Sequence, residues 1–119
     1  MKAALVTGAA KRIGRAFALA LAHDGWFVFV HHNASAQEAK ATVADIVAAG
    51  GKAKAVRADL SSAKQTEALI GRCQAKGVAL TCLVNSASLF AFDAAPHASA
   101  TLFDQHMAVN LRAPMLLAQ

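Results

Sequence analysis

Residues 5–14 read LVTGAAKRIG: a short apolar run, a turn bracketed by Gly8 and Gly14, and the opening of a helix. Gly8 lets the chain turn sharply off a strand, and Gly14 lets the helix pack close to a sheet. The amides of the first helical turn, about 10–13, lack intrahelical partners and sit at a positive helix end. The pyrophosphate of a dinucleotide fits there. The spacing is T-G-x-x-x-R-x-G, with Arg12 where a middle glycine is usual. Glycine turns also arise for packing alone, and the strand before and helix after this one favour the ligand reading.

Outward from this turn, strand and helix signals alternate. A first strand is predicted over 3–7 and a helix over 11–23, in which Ile13, Phe17 and Leu21 recur every four residues as one apolar stripe. Residues 26–30, WFVFV, read as a strand covered on both faces. Ser35 and Glu38 have capping-box spacing for a helix that runs to about 49 and stops at Gly50-Gly51. A third strand is predicted over 53–57. A helix capped by Ser61 or Ser62 then runs to about 76, and a fourth strand covers 80–84. A last helix starts near Ser99 and reaches the C-terminus, kinked at Pro114. Four β–α units predict an α/β fold: one Rossmann-like domain over 1–119, with a doubly wound parallel sheet that stops after about four units. Ligands bind such sheets beyond the carboxyl ends of the strands.

The composition sets bounds. A chain of 119 residues with 56% hydrophobic content can bury one core. The formal charge of +5 favours anionic partners, but Lys and Arg are scattered without a basic run, so nucleic acid is not an expected partner. Cys73 and Cys82 form no C-x-x-C pair, and Cys82, inside an apolar run, reads as a buried inert thiol. Thr7, Gly8, Lys11 and Arg12 interrupt any secretory core, and no apolar stretch approaches the length of a membrane span. A cytoplasmic protein with no membrane partner is expected.

The remaining motifs lie at strand ends. After Val30 comes His31-His32-Asn33-Ala34-Ser35, with no acid to accept from a ribose 2′-OH. Arg12 from the neighbouring turn, with Asn33 and Ser35 as donors, suits a 2′-phosphate instead. NADP(H) is therefore the expected cofactor, and Arg12→Ala is expected to erode its preference more than Lys11→Ala. Adjacent histidines on an extended chain point apart and have no Cys or acid beside them, so no metal is expected and both read as solvent-facing. Asp59-Leu60 offers either a carboxylate and apolar cover for adenine or a helix-flanking acid beside Ser61 and Ser62. Asn85-Ser86-Ala87-Ser88 allows close backbone approach to a ligand, and equally makes a plain turn.

As a set, Thr7-Gly8 to Gly14, Ala58-Asp59-Leu60, Leu83-Val84-Asn85 and Val109-Asn110-Leu111 resemble the short-chain dehydrogenase/reductase family in order and spacing. The likeness covers essentially the whole chain. Ala9-Ala10-Lys11-Arg12-Ile13 and Asn85-Ser86-Ala87-Ser88 resemble the pteridine-reductase-like branch. The resemblance implies that Gly8, Arg12, Ile13 and Gly14 line pyrophosphate and ribose, and that Ser35 helps hold the 2′-phosphate. Asp59 and Leu60 would flank adenine, and Asn85 and Ala87 the nicotinamide ribose. Ser88 and Phe90 would reach a small-molecule substrate such as a pterin, with Phe90 as a stacking face. Asn110 would be the family's structural and catalytic asparagine. Two departures stand out. Ala34 occupies a position where the pteridine-reductase group often has an arginine. The chain also has no tyrosine, whereas the family's proton donor is the tyrosine of Tyr-x-x-x-Lys. The expectation is an NADP(H)-dependent oxidoreductase, possessing here its cofactor-binding half, as a homo-oligomer or in association with the missing half. The alternative is a non-catalytic nucleotide-binding or interaction module from a truncated gene.

Overall fold

A computed structural model describes residues 1–91 and 94–119. Strands β1 (Lys2–Val6), β2 (Phe27–His32), β3 (Lys52–Arg57) and β4 (Ala79–Val84) form one parallel sheet in the order β3-β2-β1-β4. Helices α1 (Arg12–His23), α2 (Ala36–Ala48) and α3 (Ala63–Arg72) make the crossovers. After β4 come a 3₁₀ turn (Ala95–His97), α4 (Ala100–Met107), a π-helical turn (Ala108–Arg112) and α5 (Ala113–Leu117).

Ala3, Ala4, Leu5 and Val6 are all fully buried, as a central strand with both faces covered requires. Their side chains alternate between two cores. Leu5 pairs in register with Phe29, and both pack with Val56, Leu69, Ala113 and Leu117. Val6 pairs with Val30, and both pack with Val28, Ala18, Ala39 and Ile46 on the opposite face. Helices therefore cover both faces, which is the doubly wound arrangement expected.

Several local expectations are corrected. The buried face of α1 is Gly14, Ala18 and Ala22, while Ile13 and Phe17 are 69% and 47% exposed. Of the stripe Ile13, Phe17 and Leu21, only Leu21 packs against the core, and the other two face outward. The reason is separation: a Cβ on Gly14 would overlap the Gly8 carbonyl, so only small residues fit where α1 meets the glycine turn. Ser35 precedes α2 but makes no side-chain cap bond, so the capping box is not formed. Ser62 does cap α3, its Oγ accepting from the Gln65 amide at 3.2 Å. Ser99 caps α4 in the same way, through the Leu102 amide at 3.1 Å. Helix α3 ends at Arg72, short of Lys76. The last helix runs on without a break from Ala100 to Leu117, and its irregularity at Pro114 takes the form of a π turn. Pro114 has no N–H for the Asn110 carbonyl four residues back, and the chain widens into that turn before α5. Cys82 is half-buried because β4 is an edge strand, whereas Cys73 is buried and its thiol is pushed up to about 11 by that burial.

Gly8 has φ +61 and Arg12 has φ +58. At Arg12 this left-handed backbone carries a side chain, at a cost of about 1–2 kcal/mol. Arg12→Gly is expected to raise stability by up to about 1 kcal/mol, after allowing for the greater freedom of glycine in the unfolded chain. Urea unfolding checks this: a midpoint that falls by an equivalent amount would show that the guanidinium makes compensating contacts.

Candidate functional site

A groove of about 350 Å³ opens at the carboxyl ends of all four strands. Gly8, Ala10 and Lys11 line it from the β1–α1 turn, residues 31–35 from the end of β2, and residues 58–60 from the end of β3. Residues 86–89 after β4 and Val109 of the π turn complete it. A larger hollow, about 440 Å³, surrounds Trp26, Ile46 and Gly50 at the opposite strand ends. The C-termini of α1 and α2 meet there, which disfavours an anion.

The turn that forms the groove floor is held at each of its residues. The Gly8 amide donates to His31 Nδ1 at 3.0 Å, and the Ala9 amide donates to the His31 carbonyl at 2.9 Å. The Ala10 carbonyl lies 3.2 Å from the buried Thr42 hydroxyl of α2, whose one proton is shared between it and the Glu38 carbonyl at 3.0 Å. Thr42 in turn accepts from Arg15, which is paired with Asp45. Gly8 also abuts the β4 loop: a Cβ there would lie 2.8 Å from the Ala87 Cα. Thr7 spaces the same two loops, its buried Oγ1 accepting from the Ser86 and Ala87 amides at 3.1 and 3.0 Å.

Asp59 makes the bonds of a helix-flanking acid and also lies in the groove wall. Its Oδ1 accepts from the amide and hydroxyl of Ser61, at 3.0 and 2.6 Å, as a helix-flanking acid does. It also lines the groove beside Leu60. The Ser61 hydroxyl and then the Ser61 amide hold its carboxyl below the usual range.

Both histidines are expected to face solvent, and His31 is instead 3% exposed with both ring nitrogens engaged. β2 extends two residues beyond the apolar run, which carries His31 inward. His32 is half-buried and lines the groove, with its Nδ1 buried and unpartnered among the described residues. No local signal marks His31. Its clue is positional: a polar side chain on the inward face of a strand that ends beside a glycine turn must find partners there.

Of the residues singled out by sequence, Gly8, Asn33, Ser35, Asp59, Leu60, Ala87 and Ser88 line the groove. Arg12, Ile13, Gly14, Asn85 and Phe90 are outside its lining, and Lys11 is within it. Asn110 sits in the π turn and clasps the backbone of Leu89: its Oδ1 accepts from the Leu89 amide and its Nδ2 donates to the Leu89 carbonyl, both at 2.8 Å. His106 of α4 similarly accepts from the Ala91 amide at 3.1 Å.

Three features fit a dinucleotide here. The floor is a glycine turn that a Cβ would fill, the first-turn amides of α1 lack intrahelical partners, and an unpartnered buried nitrogen lies alongside. No helix among the described residues is long and apolar enough to cross a membrane.

Residues 2–119 match the family model for short chain dehydrogenase. An uncharacterized oxidoreductase of Methylorubrum extorquens is 40% identical over 118 residues, covering 99% of this chain and 48% of that protein. The structure of FolM, alternative dihydrofolate reductase 1 from Brucella suis in complex with NADP, is similar at a TM-score of 0.89 and 38% identity, over 97% of this chain and 48% of that one. The angucycline C-6 ketoreductase LanV with bound NADP is similar at a TM-score of 0.91 and 36% identity, over 99% and 48%. The chain spans about half the length of these relatives. A glycine-turn groove at the carboxyl ends of a doubly wound sheet, matched along nearly every residue, places this chain in the short-chain dehydrogenase family.

Proposed function

We propose that these 119 residues are the cofactor-binding part of an NADP(H)-dependent oxidoreductase. One observation carries this reading: the groove wall at the end of β2 has no carboxylate, and Lys11 lines the facing turn. When bound, the nicotinamide ring supplies the hydride. Gly8 and the amides that open α1 receive the pyrophosphate. Asn33, Ser35 and Lys11 surround the 2′-phosphate, while Asp59 and Leu60 flank adenine. Asn85 and Ala87 bound the nicotinamide ribose, and Asn110 fixes the β4 loop through Leu89. Arg12, Ile13 and Gly14 act through the first-turn amides of α1, the side chains of the first two lying outside the groove lining. The solved relatives with bound NADP support the cofactor choice.

For the substrate we favour a flat, nitrogen-rich ring of the pterin or dihydrofolate type. Ser88 lines the groove, and Phe90, 85% exposed, follows the clasped Leu89. FolM supports this choice, and LanV supports a ketone as the second reading. For partners we favour self-association. Phe103, Met107, Leu111 and Met115 recur every four residues as an exposed apolar stripe, and β4 leaves one sheet edge unpaired.

Titration with NADP and NAD tests the reading. A tenfold to hundredfold preference for NADP is expected, because one or two charge-assisted contacts are worth about 1.5–3 kcal/mol each. Because Lys11 lines the groove and Arg12 does not, we favour Lys11→Ala removing most of the preference and Arg12→Ala less, the opposite of the order expected from the sequence. Equal affinities would defeat the cofactor assignment.

A chain without tyrosine lacks the family's proton donor. Positioned acid–base catalysis contributes about 10²–10⁴-fold, so the purified chain should bind dinucleotide without sustained NADPH oxidation. Turnover above that of a Gly14→Asp control would contradict this. Binding without turnover is also what the alternative, a non-catalytic nucleotide-binding module, requires.

With NADP bound, the intrinsic fluorescence of biopterin should be quenched as it binds, and Phe90→Ala should weaken its affinity about twofold to tenfold, the range of one offset stack. A Phe90→Ala variant that binds biopterin unchanged would leave the ketone reading standing.

A further inference from the structure

We propose that His31 is a positioning residue of the dinucleotide groove, holding the glycine turn through the Gly8 amide in its neutral form only, so that one proton gates binding. The inference rests on the proposed dinucleotide site and adds a control to it.

The tautomer follows from the partners. The Gly8 amide can only donate, so Nδ1, 3.0 Å away, must carry a lone pair. The Ala58 carbonyl can only accept, so Nε2, 2.9 Å away, must carry the hydrogen. A second proton on Nδ1 would set two donors against each other and place a charge on a ring that is 3% exposed. The strand itself would survive, because the Ala9 amide bonds to the His31 carbonyl and the Ala58 amide to the His32 carbonyl, neither of which titrates. Protonation therefore frees Gly8 in particular, and with it the floor of the groove.

The charged and titratable groups around His31 do not rescue the cation. His32 adjoins it on β2, Lys11 comes from the turn, and Arg57 and Asp59 flank Ala58 on the β3 side. Asp59 is the sole acid among them, and its Oδ1 is occupied by Ser61. Burial pushes His31 below its ordinary value of 6.5, the Ala58 carbonyl opposes that push, and His32 adds to it. The sign follows: the folded, binding-competent state prefers the neutral ring. Its contribution is complete above the ordinary histidine value and is lost as pH falls through the lowered one.

The test compares the full chain with His31→Asn, whose Oδ1 keeps an acceptor for Gly8 but does not titrate, and with His31→Leu, which keeps none. Affinities for NAD and NADP are measured from about pH 7.5 down to the pH at which circular dichroism shows the fold itself is lost, so that the lowered titration of His31 falls inside the series. NAD lacks the 2′-phosphate, which titrates by itself in this range. Wild-type affinity for NAD should fall by up to about tenfold per unit below the His31 titration while the fold persists. Calorimetry in two buffers should show a proton released on binding there. His31→Asn should bind within about threefold of wild type at neutral pH, with a flat profile and no proton release. His31→Leu should bind weakly throughout. The same acid loss in His31→Asn as in wild type, or a His31→Leu variant that binds like wild type, would overturn the proposal. Where a variant fails to fold, wild type decides: a Gly8 amide resonance that ignores the His31 titration overturns it as well. Absence of dinucleotide binding at neutral pH would sink the proposed site, whereas tight binding indifferent to pH would sink the role of His31 alone.

Discussion

The contact between Gly14 and the Gly8 carbonyl sets the distance from α1 to the sheet, and much of the molecule follows from it. At that distance not even a methyl group fits at Gly14, and the column Gly14, Ala18, Ala22 faces inward. The bulky residues of the same helix are displaced outward, and Ile13 and Phe17 stay exposed. The turn is compressed from the other side as well, where Gly8 meets the backbone of Ala87. A groove floor made of backbone alone is the result. A polyanionic ligand can approach it as closely as the amides allow.

Polar side chains hold the loops around that floor. Thr7 takes the Ser86 and Ala87 amides, His31 takes Gly8, Asn110 takes Leu89, and His106 takes Ala91. Each bond is worth about 1 kcal/mol net, but an amide left buried and unsatisfied costs about 1–3 kcal/mol. The loops are thereby confined to one shape before any ligand arrives. The π turn belongs to the same arrangement, since it presents Asn110 toward Leu89 and Val109 toward the groove.

The periodic parts of this fold were legible in the sequence. Apolar runs at β1 and β2, glycine stops and the serines at 62 and 99 locate the elements, because each is a local signal of backbone preference. What escaped was long-range. The bond from Gly8 to His31 spans 23 positions and that from Ala87 to Thr7 spans 80, and neither leaves a local trace. The α1 stripe misled for a related reason: period identifies a helix, but the choice between an apolar face and a small-residue face depends on how near the sheet lies. Arg12 and Lys11 are adjacent, and which of them lines the groove depends on the left-handed backbone at Arg12, which no propensity favours.

The parallel topology also explains why the smaller hollow is the better candidate for an anion. Every crossover helix in such a sheet runs back against the strands, so α1, α2 and α3 all begin at the strands' carboxyl ends. Their dipoles add there, each equivalent to about half a positive charge at the N-terminus, and act together on whatever occupies the groove. Lys11 strengthens that potential, while Asp59, the acid in the lining, has one carboxylate oxygen already engaged by Ser61. At the opposite end the same dipoles present their negative poles to the larger hollow. Volume favours the hollow around Trp26. Field and donor supply favour the groove at Gly8, and for a phosphate-bearing ligand these outweigh volume, because the first-turn amides of α1 have no intrahelical partner.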